Sequence, residues 1–384
     1  MAGRLVRNFT LIISVGSCGI LGLLYFTHVF SRNTNEAMCF NESPQSVRAR
    51  NLFQPHRKVS HVLIVTHPRS GSTLTGDIIQ KSGSSFYAFE PLRFAGESIQ
   101  LGQPVIYLNG TQRVYNNSRD AVWVEADILY RWFTCDFCRV NIQDLKSKFI
   151  ESFSTNLREY AVCLNRYRFN PLPRCLSQLR KTCEQATVRS IKTVRLQNLE
   201  SIPILLRRLP SLKVIYLVRD PRGRLASQAA LDPTEWNIVE DQAETMCTQM
   251  YQEFRYIAKI WKHLAGRLKI LMYEKFAKDP IDVSKRLFEF LDIDFTEYLQ
   301  FFVKTVTHVD LDKTGCYWCT KRTNSRETAT RWRRGIEYSH VKKIDDQCSD
   351  VYNELGYMKI RNEHHLRNMS LSIIGKSNHP YLYV

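Results

Sequence analysis

Hydroxyl, glycine and arginine side chains lie together just after an early apolar segment. The residues from His67 to Thr73 read HPRSGST. Gly71 lets the backbone approach an anion closely, and a helix beginning here would point its unpaired N–H groups and positive dipole end at that anion. Arg69 adds a permanent charge, and hydroxyl donors come from Ser70, Ser72 and Thr73. The pattern predicts a cradle for a phosphate or sulfate group.

This turn differs from the phosphate-binding loop of kinases and other NTPases. That loop reads G-x-x-x-x-G-K-[ST]. Here no glycine stands at the start and no lysine precedes the hydroxyl residue, whereas Arg69 stands two residues before Gly71. An ordinary polar turn between a strand and a helix also fits the segment when it is taken alone.

A second basic turn lies further along the chain. Arg219 ends the apolar run that starts at Lys213, and Ser227 follows Arg219 by eight residues. A helix beginning near Pro221 would place Ser227 in its second turn, so the two side chains can converge on one phosphate. The alternative is a local ion pair between Arg219 and Asp220, with Ser227 on a solvated helix face.

Short aliphatic and β-branched runs precede both turns and predict buried strands. The predicted strands are residues 61–66, 86–89, 187–196, 213–219 and 268–273. Helices are expected at 74–81, at 224–230 and through 283–291. This alternation predicts an α/β protein with a mainly parallel sheet, helices on both faces, and ligands at the carboxyl ends of the strands. Residues 97–186 are less regular and are interpreted as an insertion or substrate-facing lobe.

The amino terminus indicates a membrane anchor. Residues 9–30 contain no Asp, Glu, Lys or Arg, and a spanning helix needs about 20 apolar residues. Arg4 and Arg7 precede the run, which favours a cytoplasmic amino terminus. A cleaved signal peptide is the alternative, although its apolar region is usually about 7–15 residues long. The expected division is a cytoplasmic tail at 1–8, a transmembrane signal anchor at 9–30, a luminal stem at 31–58 and a luminal domain at 59–384.

Composition agrees with a luminal protein that binds an anion. The chain has 11 cysteines, and outside the anchor an oxidising compartment favours disulfides for them. The C-x-x-C pairs at Cys135 and Cys316 also allow a split zinc site, but zinc ribbons place their pairs closer together. Sequons begin at Asn109, Asn116 and Asn368 and suit a glycoprotein. The net charge of +17 favours an anionic partner: nucleic acid, a lipid surface, an acidic polysaccharide or a phosphorylated cofactor.

Together the two turns resemble the cofactor-binding motifs of sulfotransferases. Residues 66–73 (THPRSGST) are similar to the 5′-phosphosulfate-binding loop, and residues 216–227 (YLVRDPRGRLAS) to the 3′-phosphate-binding segment. The group that the chain resembles most is the Golgi galactose/N-acetylgalactosamine/N-acetylglucosamine 6-O-sulfotransferases. Further similar segments are FEPL at 89–92, YEKFAKDP at 273–280 and NSRETATRWR at 324–333.

The resemblance implies a P-loop-like sulfotransferase fold in a Golgi type II membrane protein. It implies 3′-phosphoadenylyl sulfate (PAPS) as sulfuryl donor and no metal. The 5′-phosphosulfate would be held by Arg69 through Thr73, and the 3′-phosphate by Arg219 and Ser227. Residues expected to close over the nucleotide, in a looser assignment, are Arg331, Trp332 and Arg333. The indole of Trp332 can stack on adenine, but a core position fits it equally well.

The implied reaction is in-line transfer of a sulfuryl group to a sugar hydroxyl, the 6-hydroxyl in this family. By analogy with phosphoryl transfer, the protein positions the reactants and neutralises charge, and Arg69 would stabilise the bridging oxygen of the leaving group. Glu90, at a predicted strand end before Pro91, is the candidate general base. The alternative for Glu90 is an ion pair with Arg93. His67 is a rival base, although a structural role suits a turn histidine.

Two other classes fit part of the sequence. A Golgi glycosyltransferase would share the anchor, the stem and the cysteines, and Asp310-Leu-Asp312 is a candidate metal motif for it. A non-enzymatic glycan-binding membrane protein would suit the basic charge but needs no paired phosphate turns. The acceptor stays open among chondroitin, keratan-type chains and N-acetylglucosamine-terminated chains.

Overall fold

The computed structural model describes residues 58–115, 118–167, 169–264, 266–308 and 324–384. The expected tail, the anchor, almost all of the stem and the Asp310-Leu-Asp312 motif lie outside these residues. Within the described ranges, none of the helices combines the length and the hydropathy that crossing a bilayer requires.

A parallel sheet of five strands forms the centre of the described chain, with the strand order β2-β5-β1-β6-β7. A small antiparallel pair, β3 with β4, lies apart from it. The strands are β1 (Ser60–Thr66), β2 (Ser85–Phe89), β3 (Val105–Ile106), β4 (Gln112–Arg113), β5 (Val188–Thr193), β6 (Leu212–Val218) and β7 (Leu268–Met272). All five strands predicted from the sequence are therefore confirmed, and they are parallel as expected.

Helices connect the strands and cover both faces of the sheet. In chain order they are α1 (Ser72–Ile79), α2 (Arg93–Gln100), α3 (Ser118–Thr134), α4 (Ile142–Leu145), α5 (Lys148–Phe153), α6 (Arg158–Arg166), α7 (Leu172–Gln185), α8 (Ser201–Arg208), α9 (Pro221–Ala229), α10 (Val239–Ile260), α11 (Tyr273–Lys278), α12 (Pro280–Leu291), α13 (Glu297–Thr307), α14 (Ser325–Thr330), α15 (Trp332–Gly335), α16 (Tyr338–Gln347), α17 (Ser349–Leu355) and α18 (Glu363–Arg367).

The side chains of β1 alternate between two hydrophobic clusters because successive residues of a strand point to opposite faces. Leu63 and Val65 belong to the cluster that also holds the buried face of α10. Val62 and Ile64 belong to the cluster covered by α1, α12 and α13. Because both faces are buried, the central strands are almost continuously apolar, which is why the sequence pattern revealed them.

The region 97–186 is more regular than the sequence suggested. It consists of the β3–β4 pair and several helices, and the disulfides Cys135–Cys183 and Cys163–Cys175 hold it together. A third disulfide, Cys247–Cys348, joins α10 to the start of α17, and Cys138 is also disulfide-bonded. The disulfide interpretation of the first C-x-x-C pair is therefore confirmed, whereas Cys316 lies outside the described residues.

Candidate active site

The first predicted turn lies at the carboxyl edge of the sheet. β1 ends at Thr66, α1 begins at Ser72, and Gly71 caps the helix with a φ of 90°. A Cβ atom at Gly71 would lie 2.5 Å from Cδ2 of Tyr273, so both the backbone and the packing require glycine. Ser70 is buried within the turn, while Ser72 and Thr73 form the first turn of α1.

The second turn packs directly against the first. Arg69 Nε donates a hydrogen bond to Ser227 Oγ at 3.0 Å. Arg219 Nη1 in turn donates to the carbonyl oxygen of Arg69 at 2.8 Å, and Arg224 Nε donates to the carbonyl oxygen of Pro68 at 3.1 Å. β6 and β1 are neighbours in the sheet, so their carboxyl ends bring the two basic turns to one place.

Tyr273 and Glu274, which directly follow β7, pack against the two turns. The guanidinium of Arg219 lies 4.5 Å from the ring centroid of Tyr273, within cation–π distance. Glu274 Oε1 accepts from the backbone N–H of Asp220 at 2.8 Å, and Glu274 Oε2 accepts from the hydroxyl of Tyr357 at 2.9 Å. Sequence reasoning included this segment only as part of a resemblance and gave it no role.

Burial, together with the nearby carboxylate of Asp220, raises the pKa of Glu274 to about 7, against the lowering effects of the hydrogen bond from the Asp220 N–H and the charge of Arg219. Asp220 also caps α9 by accepting from the Arg222 N–H, and its carboxylate pairs with the fully buried Arg222 guanidinium at 2.8 Å. A buried ionic network therefore holds the start of α9 in place.

Three buried donors around the turns have no hydrogen-bond partner within the described ranges: Ser70 Oγ, Arg219 Nε and Trp332 Nε1. Two of them lie close together beside Gly223, because a Cβ atom at Gly223 would lie 3.1 Å from Trp332 Nε1 and 3.3 Å from Arg219 Nε. An unpaired buried donor costs about 1–3 kcal/mol. Three such donors around the two basic turns fit a site that an anionic, hydrogen-bonding ligand completes.

Arg331, Trp332 and Arg333, the residues expected to close over the nucleotide, differ in what they contact. Trp332 is buried against Gly223 and faces the Arg222 guanidinium at 5.2 Å, so it belongs to the core and also borders the site. Arg331 is exposed. Arg333 was expected to close over a nucleotide, but its buried guanidinium donates to backbone carbonyl oxygens of the carboxyl-terminal segment. The acceptors are His365, Leu366, Asn368 and Leu371. The structure therefore gives Arg333 an anchoring role instead.

Glu90 directly follows β2 and is 3% exposed. Its Oε1 lies 2.5 Å from Lys192 Nζ, and its carboxylate accepts from the Val194 N–H at 3.2 Å. The ion-pair partner of Glu90 is therefore Lys192 and not the expected Arg93, whose guanidinium lies 4.2 Å from the ring centroid of Phe149. β2 is two strands from β1, which at strand spacing corresponds to about 10 Å.

Arg69 and Glu90 share an unusual backbone. Their φ values are 65° and 54°, in a region that costs a non-glycine residue about 1–2 kcal/mol. Such strain persists only where the surrounding structure imposes it, and it clusters at functional sites. The two residues predicted to be catalytic are thus both held in strained conformations at the carboxyl edge of the sheet.

His67 makes a structural hydrogen bond to Glu253 next to the turn. Its Nε2 lies 2.7 Å from Glu253 Oε2, and the Tyr216 hydroxyl donates to the same oxygen at 2.5 Å. This arrangement anchors the turn to α10. No group of His, Cys, Asp or Glu within the described ranges is arranged to hold a metal ion.

Comparison with known families agrees with the geometry. Residues 61–297 match the family described as "Sulfotransferase family", which is more than half of the chain. This chain belongs to the sulfotransferase family. Membership decides against the glycosyltransferase and the non-enzymatic binding protein, the two alternatives that the sequence left open.

Several relatives are similar over most of their length. Carbohydrate sulfotransferase 1 of Danio rerio is 25% identical over 362 residues, covering 84% of each chain. Carbohydrate sulfotransferase 3 of Homo sapiens is 24% identical, covering 82% of this chain and 70% of the relative. The solved structure of mouse sulfotransferase SULT7A1 complexed with PAP aligns with a TM-score of 0.35 at 12% identity, covering 85% of this chain and 92% of that chain.

Proposed function

We propose that this enzyme transfers a sulfuryl group from PAPS to a sugar hydroxyl of a glycan, at the 6-position of galactose, N-acetylgalactosamine or N-acetylglucosamine. The observation that carries the proposal is the hydrogen-bond network of Arg69, Ser227 and Arg219, which joins the two anion-binding turns into one site. The similarity to carbohydrate sulfotransferases supports a glycan acceptor.

The turn residues would hold the two ends of the donor. The 5′-phosphosulfate would lie on the turn from Arg69 to Thr73, where the α1 amino terminus and buried Ser70 Oγ supply donors. Its 3′-phosphate would be held by Arg219 and Ser227. Trp332, whose indole N–H is buried beside Gly223, borders the nucleotide, and exposed Arg331 stays a predicted contact.

PAPS supplies the sulfuryl group, and the oxygen that bridges sulfur to the 5′-phosphate keeps the electron pair when that bond breaks. Arg69 stabilises the charge that develops on this oxygen. Glu90 accepts the proton of the sugar hydroxyl as its oxygen bonds to sulfur. The ion pair with Lys192 orients the Glu90 carboxylate before the transfer. Lys192 stays next to this carboxylate while Glu90 accepts the proton.

The sequence and the disulfides support a proposal for the cellular setting. We propose a type II protein of the Golgi membrane, anchored by residues 9–30, with residues 59–384 in the lumen as the catalytic domain. The three described disulfides suit an oxidising compartment. The net charge of +17 suits acidic glycans such as chondroitin and keratan-type chains.

A transfer assay over a panel of glycans tests the proposal. The full-length enzyme is given PAPS with labelled sulfate and separate acceptors: chondroitin, keratan-type chains and N-acetylglucosamine-terminated chains. The proposal predicts labelled product with at least one acceptor and, by linkage analysis, sulfate on a 6-hydroxyl. Labelled product in which the sulfate lies on another hydroxyl would refute the 6-O assignment, and no product with any glycan would refute the proposed function.

A further inference from the structure

A cavity of about 380 Å³ opens beside the first turn. Pro68 forms one side of it, Leu225 and Gln228 of α9 form another, and one face of α10 closes it. Ligand pockets in proteins measure about 300–1,000 Å³, so this cavity has the size of a small-molecule site. No part of the proposed donor site uses it.

The position of the cavity relates it to the reaction. Pro68 and Gln228, which line it, are the chain neighbours of Arg69 and Ser227, and those two residues are hydrogen-bonded to each other at 3.0 Å. A molecule in the cavity would therefore lie directly beside the arginine that holds the sulfuryl group in the proposed function. The sugar that receives sulfate must contact the sulfuryl group, so a cavity at this position suits a neighbouring sugar of the acceptor chain.

The lining offers hydrogen-bond acceptors to a ligand. Asp241 and Thr245 are exposed at the rim, one turn apart on α10. Gln228 and Gln242 each donate one amide N–H to Glu235 Oε2, which leaves a carbonyl oxygen and a second N–H on each side chain for a ligand. Carboxylate and amide oxygens accept from hydroxyl and amide N–H groups. Buried Leu225 and Met246 add an apolar surface for the C–H face of a ring.

The charge of the cavity disfavours an anionic occupant. Its lining has two basic side chains, Arg224 and His67. The Arg224 guanidinium is 7% exposed and donates to the Pro68 carbonyl oxygen and Met250 Sδ, and the His67 ring is hydrogen-bonded to Glu253. Asp241 lies in the lining itself, and the carboxylate of Glu253 stands behind His67 at 2.7 Å. A carboxylate or sulfate group placed here would face like charges, which lowers its affinity.

We propose that this cavity binds an uncharged sugar of the acceptor chain, a galactose or an N-acetylhexosamine, next to the sugar that receives sulfate. The inference rests on the proposed function and narrows it. The enzyme prefers acceptors whose sugar at this position is unsulfated and is not a uronic acid. The side chains that recognise this sugar by hydrogen bonds are Asp241, Thr245, Gln228 and Gln242.

Binding measurements test the proposal independently of turnover. Titration calorimetry on the full-length enzyme saturated with PAP would compare an unsulfated keratan-type tetrasaccharide with a chondroitin tetrasaccharide. T245W, which places an indole over the cavity, should weaken binding of the uncharged tetrasaccharide about tenfold and leave PAP affinity unchanged. T248W is the matched control, because Thr248 is exposed on α10 but does not line the cavity.

A charge exchange tests specificity. D241K should improve binding of the chondroitin tetrasaccharide about tenfold, because it replaces a like charge with an opposite one. E244K makes the same charge change on an exposed α10 position outside the cavity and should have little effect. Equal effects of each variant and its control, or a wild-type enzyme that binds neither tetrasaccharide, would overturn the subsite.

The experiments distinguish failure of the proposed function from failure of the proposed subsite. Cavity-dependent sugar binding without sulfate transfer to any glycan would refute the transferase activity and leave the subsite standing. Sulfate transfer that T245W does not alter, with unchanged acceptor KM and kcat, would refute the subsite and leave the activity standing.

Discussion

The buried carboxyl group of Glu274 should make the enzyme less stable as the pH rises from about 4.5 to 7. Burial raises its pKa to about 7, while an unfolded glutamate titrates near 4.5. Below both values the group is protonated in both states. Between them only the unfolded chain loses the proton, so the stabilisation is lost as pH rises through the folded pKa. A difference of about 2.5 pH units corresponds to about 3 kcal/mol.

The variant Glu274→Gln isolates this effect. Its amide oxygen can accept from the Asp220 N–H and its amide nitrogen can donate to the Tyr357 hydroxyl, so both hydrogen bonds of Glu274 are kept. The difference in free energy of unfolding between variant and wild type should therefore grow in favour of the variant by about 3 kcal/mol from pH 4.5 to 7.5.

Urea unfolding of the purified enzyme at several pH values measures this difference. Glu125 and Asp144, whose pKa values burial also raises to about 7, titrate in both proteins and cancel in the comparison. Glu289→Gln, on an exposed position of α12, is the matched control and should follow the wild type. A difference between Glu274→Gln and wild type that stays constant from pH 4.5 to 7.5 would refute the reasoning.

Three further perturbations have definite expected outcomes. Gly71→Ala forces a Cβ atom into the Tyr273 ring at a φ of 90°; calorimetry should show weaker PAP binding, and unchanged affinity would contradict the packing argument. Lys192→Met leaves Glu90 buried and unpaired, costing about 3–5 kcal/mol in urea unfolding, and a cost near zero would show that the pair contributes little. Arg333→Leu removes four hydrogen bonds to carbonyl oxygens and should lower Tm while PAP affinity stays unchanged. A selective loss of PAP affinity would instead indicate that Arg333 binds the nucleotide.

Local sequence patterns were enough to predict the sheet and the meeting of the two turns. The strands are short apolar runs bounded by turn residues, and the carboxyl ends of neighbouring parallel strands share one edge. Arg69, Arg219 and Ser227 follow such ends, so their convergence needed no knowledge of distant contacts. Arg69 and Arg219 follow closely on the ends of β1 and β6, and helix α9 carries Ser227 at the same edge of the sheet.

The features that sequence analysis missed depend on pairings between distant segments. Lys192 meets Glu90 because β2 and β5 pair in a particular register, which no local pattern specifies. Arg333 donates hydrogen bonds to backbone carbonyl oxygens of a later segment. Every residue has a backbone carbonyl, so no residue type in the sequence identifies these acceptors. Several helices within 97–186, such as α4 and α5, are too short to show a clear helical periodicity, and two disulfides link segments of this region that are distant in sequence.

The central claim is that Arg69 and Arg219 hold and activate the donor, and the most direct measurement is transfer of labelled sulfate from PAPS by Arg69→Ala and Arg219→Ala. Removing one donor that stabilises transition-state charge typically lowers kcat by about 10²–10³-fold. Arg286→Ala, on an exposed position of α12, is the matched control and should keep full activity. We expect near-complete loss of transfer in both site variants with unchanged thermal unfolding. Full activity in either folded variant would contradict it.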